Sequence, residues 1–92
     1  ENKKMIRNYV IVGQIKELKE KNLAVVEVRN KLTNGEEIEF MLPAMYENKT
    51  LFAVMHNLDK ESIEVANPNS IIYLNVPNGC QNGTIIRKKI SD

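Results

Sequence analysis

A nucleophile paired with a general base could be built here from His56 and Cys80, the single histidine and single cysteine of the chain. A Cys–His couple requires them side by side, so that the imidazole takes the thiol proton and the thiolate attacks. Apart, they read as a strand residue facing outward or toward a rim and a small, partly buried loop residue. One histidine excludes a histidine-rich metal centre, and one cysteine excludes an internal disulfide or a multi-cysteine metal site within these residues. Glu37 and Glu39 are two apart and share one side of a strand. An acid/base pair would need one of them desolvated in a cleft, and no flanking residue supplies one. An exposed ladder paired with Arg29 and Lys31 fits better, each exposed pair contributing roughly 0–1 kcal/mol. Gly13, Gly35, Gly79 and Gly83 are isolated, so neither a phosphate loop nor a dinucleotide fingerprint is present. No catalytic residue, metal or cofactor is expected in this domain.

Basic residues gather at Lys3, Lys4 and Arg7, at Lys16, Lys19 and Lys21, and at Arg87, Lys88 and Lys89. If the first and last strands are neighbours, these make a positive rim that could touch phosphates, with Tyr9, Tyr46 or Tyr73 stacking on bases. Arg87, Lys88 and Lys89 are the candidates for such nucleic-acid contact. Solvated chain ends and a solvated loop are the alternative. The net charge of +1 lacks the strong field of a dedicated nucleic-acid binder. No apolar run approaches the roughly 20 residues needed to cross a bilayer as a helix.

The elements that must position these residues are short and β-branched. Residues 9–18 read as a first strand with a bulge or sharp bend at Gly13. The Glu- and Lys-rich stretch 16–22 has too few apolar positions to anchor a helix and is expected to be a long charged hairpin loop. Residues 26–40 alternate apolar and charged on both sides of Asn34-Gly35, and are expected to form an antiparallel hairpin with one core face and one charged face. Further strands are expected at 50–57, 62–65, 71–76 and 84–89, separated by 58–61, Asn67-Pro68-Asn69-Ser70 and Pro77-Asn78-Gly79. Seven short strands with frequent turns argue for a small all-β barrel or sandwich, and 92 residues suffice for one such domain. No convincing internal repeat is read from the sequence.

The order Glu27-x-Arg29-Asn30, then Gly35-Glu36-x-Ile38-Glu39, then Pro43, resembles the C-terminal domain of the collagenase-like peptidase family U-32. Leu32 stands where that family usually has an aromatic residue and Glu36 where it usually has Asp. Ala66-Asn67-Pro68, the strand ending at Pro77, and Gly83-Thr84-Ile85-Ile86-Arg87-Lys88 resemble its closing segment, with Thr84 in place of an acid. The turn 58–61 lacks the glycine usual in the family. The likeness runs from about Val12 to Lys88.

The resemblance implies an antiparallel β-barrel of six or seven strands, like the second domain of elongation factor Tu. It would occupy residues 9–90, after a linker (1–8) from an upstream catalytic domain. It further implies a non-catalytic lid or substrate-positioning domain of a collagenase-type peptidase; the single cysteine is compatible with a reducing cytoplasm, the expected location, with secretion of the full-length protein as the alternative. The partners would then be that catalytic domain and a collagen-like polypeptide. An RNA-contacting domain of an RNA-hydroxylation enzyme is the alternative. Contact with substrate or the catalytic domain is expected at Glu27, Arg29, Asn30, Lys31 and Glu39, with Arg29 foremost because its planar fork grips carboxylate, phosphate or carbonyl in fixed geometry.

Overall fold

A computed structural model describes residues 8–90, so most of the expected linker and the cations Lys3, Lys4 and Arg7 lie outside the described residues. The chain is all-β: β1 (Tyr9–Glu20), β2 (Leu23–Val28), β3 (Leu32–Thr33), β4 (Glu37–Met41), β5 (Lys49–Phe52), β6 (Met55–His56), β7 (Val65–Ala66), β8 (Ile71–Asn75) and β9 (Ile85–Lys89). Seven strands form one antiparallel sheet in the order β5-β4-β9-β1-β2-β8-β6, and β3 pairs with β7. The first and last strands are neighbours, Val10 lying opposite Lys88. Alternate residues point inward to a core that includes Val12, Ile15, Val26, Val28, Ile38, Phe40, Met55, Leu74 and Ile86.

The stretch 16–22 is not a loop. β1 runs to Glu20, and Lys21 and Asn22 turn the chain directly into β2. Pairing overrides composition here, because β2 supplies a complete apolar face and β1 follows it through two register shifts. Asn22 fastens the turn, its Nδ2 donating to the Val76 carbonyl at 2.9 Å and to Asn78 Oδ1 at 3.0 Å.

The expected hairpin over 26–40 is also corrected. Its alternation is right, with Ile38 and Phe40 buried between Glu37, Glu39 and Met41, but β2 and β4 do not pair. β2 lies between β1 and β8, while β4 lies between β5 and β9. The turn at Asn34-Gly35 is present, and its polar groups are committed elsewhere. Gly35 N donates to the Ala53 carbonyl (2.8 Å), Ala53 N donates to the Glu36 carbonyl (2.8 Å), and Asn34 N donates to the Glu64 carbonyl (2.8 Å). Asn34 Oδ1 accepts from Met55 N at 3.1 Å. The turn therefore carries the chain across the end of the barrel instead of folding it back.

The Gly83 turn repeats this arrangement. Gly83 N donates to the Ile15 carbonyl (2.7 Å), Ile15 N donates to the Thr84 carbonyl (2.9 Å), and Asn82 Oδ1 accepts from Leu18 N (3.0 Å). Gly35 and Gly83 have matching φ values, +92° and +93°, in the left-handed region that glycine enters without Cβ strain. Glu36 Oε1 accepts from Thr33 N, and Thr84 Oγ1 from Gln81 N, each three residues back. Thr84 thus supplies the same turn cap as Glu36 does. The sequence does hold a short repeat, Asn-Gly followed by a cap and a strand, and its two strands, β4 and β9, lie side by side.

The strand expected over 50–57 is one segment with two partners. β5 pairs with β4; past Ala53 the chain turns so that Asn75 N donates to the Val54 carbonyl (3.2 Å) and β6 pairs with β8. The two ends of the sheet order are consecutive in the chain, and the sheet curls into a barrel-like form around them. The strand expected over 62–65 reduces to a bridge between His56 and Ser62 and the short β7. Lys60 takes φ +69° in the turn that lacks the family glycine, with Asn57 Oδ1 accepting from Asp59 N and Glu61 N (2.9 Å each).

Gly13 is required for a different reason. A Cβ there would meet the Glu27 carbonyl oxygen at 2.5 Å and Val26 Cγ1 at 3.0 Å, where β1 and β2 press together. The Glu27 carbonyl is backbone held in the β1–β2 pairing and cannot swing aside, so Gly13→Ala should destabilise the domain by about 2 kcal/mol. Thermal unfolding should show Tm lowered by roughly 10 °C, and an unchanged Tm would refute the close approach.

Candidate interaction face

The outward sides of β5, β4, β9 and β1 form one continuous surface. Register brings Thr50 beside Glu39, Glu39 beside Arg87, and Arg87 beside Ile11. At the centre, Arg87 Nε donates to Glu39 Oε1 at 2.6 Å, and its Cζ lies 3.7 Å from the centroid of the Tyr9 ring. Both ion-pair side chains are about three-quarters covered, and stacking on Tyr9 fixes the guanidinium plane. Around this core stand the exposed apolar side chains of Ile11 (39%), Met41 (36%) and Phe52 (67%). A shallow hollow of about 150 Å³ opens beside it between Tyr9, Glu37, Glu39, Thr50 and Lys89. Arginine, aromatic and apolar side chains of this kind are enriched at the cores of protein interfaces in general.

The five expected contact residues are dispersed. Glu39 belongs to this face. Glu27 projects from β2, with β9 and β1 between it and β4, and pairs with Lys16 Nζ at 3.5 Å. Arg29 Nη2 reaches Gln14 Oε1 at 3.4 Å. Asn30 Nδ2 donates to the Ile11 carbonyl at 2.8 Å, and the backbone N–H groups of Arg29 and Asn30 both donate to the Val12 carbonyl, so this pair fastens the end of β2 onto β1. Lys31 lends its carbonyl to Lys88 Nζ at 3.0 Å. Of the residues singled out for nucleic acid, Arg87 is held by Glu39, Lys88 Nζ contacts both Glu36 oxygens at 3.0 and 3.1 Å, and Lys89 is exposed at the end of β9. Ile11 and Met41 were in neither expected set, and Arg87 and Tyr9 were expected only as nucleic-acid contacts. The pairing of β4 with β9 is what brings them together, and only the recurrence of Asn-Gly before both strands hinted at it.

His56 and Cys80 do not meet. His56 lines a second outer hollow of about 210 Å³ with Leu23, Lys60, Tyr73 and Asn75. Cys80 joins the core cluster. Burial pushes the Cys80 thiol up to about 11 against the pull of Lys49, so it stays protonated and unreactive near neutrality. Among the described residues no group of three or more His, Cys, Asp or Glu could hold a metal ion, and no helix is long and apolar enough to cross a membrane.

Residues 7–87 match the model of the peptidase family U32 C-terminal domain. The chain belongs to that family. The U32 C-terminal domain described above is similar to a crystal structure of the C-terminal domain, in selenomethionine form, of a Geobacillus thermoleovorans protein assigned to the U32 peptidases. The TM-score is 0.75 at 26% identity, covering 86% of this chain and 99% of that one. A second crystal structure of the same Geobacillus domain, at 24% identity and TM-score 0.73, covers 87% of this chain and 91% of that one and shares the fold. No curated protein matches the chain.

Glu36 carries the clearest electrostatic signature at the edge of the face. Burial acts to raise its pKa; the Thr33 N–H, the bonded and charged Lys88 ammonium, and Lys31 outweigh it, leaving the carboxyl below its usual value of 4.5. A carboxyl lowered in the folded state adds stability that is present above the unfolded pKa and is lost as pH falls through the folded value. Urea unfolding should therefore show that Glu36→Gln is less stable than the wild type near neutrality, with the two curves converging as pH falls through the lowered folded-state value. A constant offset down to about pH 2 would show that the carboxylate is not the stabilised species.

Proposed function

We propose that this U32 C-terminal domain is a non-catalytic accessory domain that holds a polypeptide substrate against a catalytic domain elsewhere in the same protein. In this reading it acts as a lid, and the hydrolytic residues and any cofactor reside in the catalytic domain. The observation that carries the reading is the outer face of β1, β9, β4 and β5, where a fixed Arg87–Glu39–Tyr9 cluster sits among exposed Ile11, Met41 and Phe52. Such a surface offers apolar area with one oriented polar centre, which suits a protein partner. The substrate class in this reading is a collagen-like or otherwise unfolded polypeptide, which membership of a peptidase family supports.

The RNA-contacting alternative draws less support, because Arg87 and Lys88 are already bonded to carboxylates on β4 and in the turn before it. Counterion release needs cations whose charge is not matched locally.

Gelatin hydrolysis by the full-length protein tests the reading. Deleting the domain should raise KM or abolish turnover, and Met41→Glu combined with Ile11→Glu should reproduce much of that loss while the domain keeps its Tm. Undiminished gelatin hydrolysis by both variants would overturn it.

A further inference from the structure

The Asn34-Gly35 and Asn82-Gly83 turns relate β5 to β1, and the relation exposes a vacancy. Each turn grips one residue through both of its backbone groups, Ile15 in β1's case and Ala53 just after β5. Each gripped segment then pairs with the strand that follows its turn, β1 with β9 and β5 with β4. On its other side β1 is covered by β2, which pairs with it over six positions from Gly13 opposite Val28 to Glu20 opposite Leu23. At the corresponding side of β5, no strand pairs among the described residues.

The direction of the backbone groups follows from the same bonds. Ala53 turns both its N–H and its C=O toward the Glu36 side. Because these groups alternate along a strand, Leu51 and Lys49 face β4, while Thr50 and Phe52 point away from it. Val54, next in that second series, accepts from Asn75 N. The next group of β8's chain on this edge would be residue 77, which is proline and has no N–H. Pro77 thus ends the ladder between the two segments and leaves the outer edge of β5 without a strand. Lys49, Thr50 and Phe52 are exposed, as is Val54 beyond them, and the segment after Pro77 approaches β5 at Lys49, whose Nζ donates to the Asn78 carbonyl at 3.4 Å.

We propose that the outer edge of β5 binds an extended segment of polypeptide, which adds as a strand in the place that β2 occupies beside β1. The backbone N–H and C=O groups of Thr50 and Phe52 pair with the added segment. Phe52 packs an apolar side chain of that segment on the outer face, and half-buried Leu51 packs its inward-facing neighbour. Only a polypeptide backbone repeats a donor and an acceptor at this spacing, so the ligand class is unfolded protein. The inference rests on the reading of the domain as a polypeptide-holding module and says where the polypeptide lies.

Thr50→Pro tests it selectively, since it removes an N–H that points away from β4 and leaves the β4 pairing intact. Reduced, carboxymethylated α-lactalbumin serves as the unfolded probe, with binding followed by titration and amide hydrogen exchange on the isolated chain. The Thr50 and Phe52 amides should exchange rapidly in the free chain and become protected with the probe. Thr50→Pro should weaken binding about 5- to 10-fold, the value of one or two backbone hydrogen bonds. Phe52→Asp, which leaves the backbone unchanged, should weaken it as well. Binding that is insensitive to both variants would overturn the strand-addition site while leaving the polypeptide-holding reading standing. Absence of any binding by the wild type would count against both. Protection of the two amides in the free chain that grows with protein concentration would show the edge pairing with a second copy, which also overturns the proposal.

Discussion

The backbone of Ala53 is clasped between Gly35 N–H and the Glu36 carbonyl, and that of Ile15 between Gly83 N–H and the Thr84 carbonyl; most of the barrel depends on these two clasps. Each clasp sets one residue against two, as in a β-bulge, and so bends the strand it holds. The bend after Ala53 sends the chain from β4 to β8, which is how both ends of the sheet come to lie in one segment. The clasp on Ile15 sits beside a register shift in β1, where the strand can curve from β9 toward β2. Glycine at φ near +90° is needed at both sites so that its N–H points at the clasped residue.

The two strands that follow the clasps are locked to each other. Phe40 pairs with Ile86 at the centre of the β4–β9 ladder, and both are fully buried. Arg87 to Glu39 crosses the outer side of this ladder, and Lys88 to Glu36 ties β9 to the first turn. Family substitutions fit this frame. Glu36 replaces the usual Asp and still reaches Thr33 N, while Thr84 keeps only the short-range cap, with no carboxylate to pair with a lysine.

Much of the fold was legible because alternation records burial directly. Ile38 and Phe40 read as core, and the β-barrel class followed from strand length and turn frequency. Alternation does not record which strand lies alongside, and so Asn34-Gly35 read as the closure of a hairpin. Side-chain pattern alone cannot distinguish a turn whose N–H groups bond across the hairpin from one whose groups bond to Ala53, Glu64 and Met55. The charged strand end at residues 16–20 was misread for a related reason: its stability comes from β2, which brings its own apolar face. Among the expected contact residues, Glu39 was placed correctly on the outer face of a strand, while its partner Arg87 lies 48 positions away and reaches it only through the β4–β9 pairing.

The distribution of charge on the outer face bears on what it can meet. Among the described residues, Arg87, Lys88 and Lys16 each have a carboxylate within 3.5 Å, so these three members of the positive rim suggested by the sequence are matched locally. A partner therefore meets fixed dipoles and apolar side chains rather than a long-range field, and its binding should depend on shape and burial more than on salt. Covering Ile11, Met41 and Phe52 would also strengthen the Arg87–Glu39 bond by removing the water that screens it. The ion pair has already lost much of its hydration in the free domain, so little desolvation cost is left to oppose docking. Under the proposed role, a pre-oriented, half-dry polar centre inside an apolar ring lowers the ordering cost of docking a protein surface.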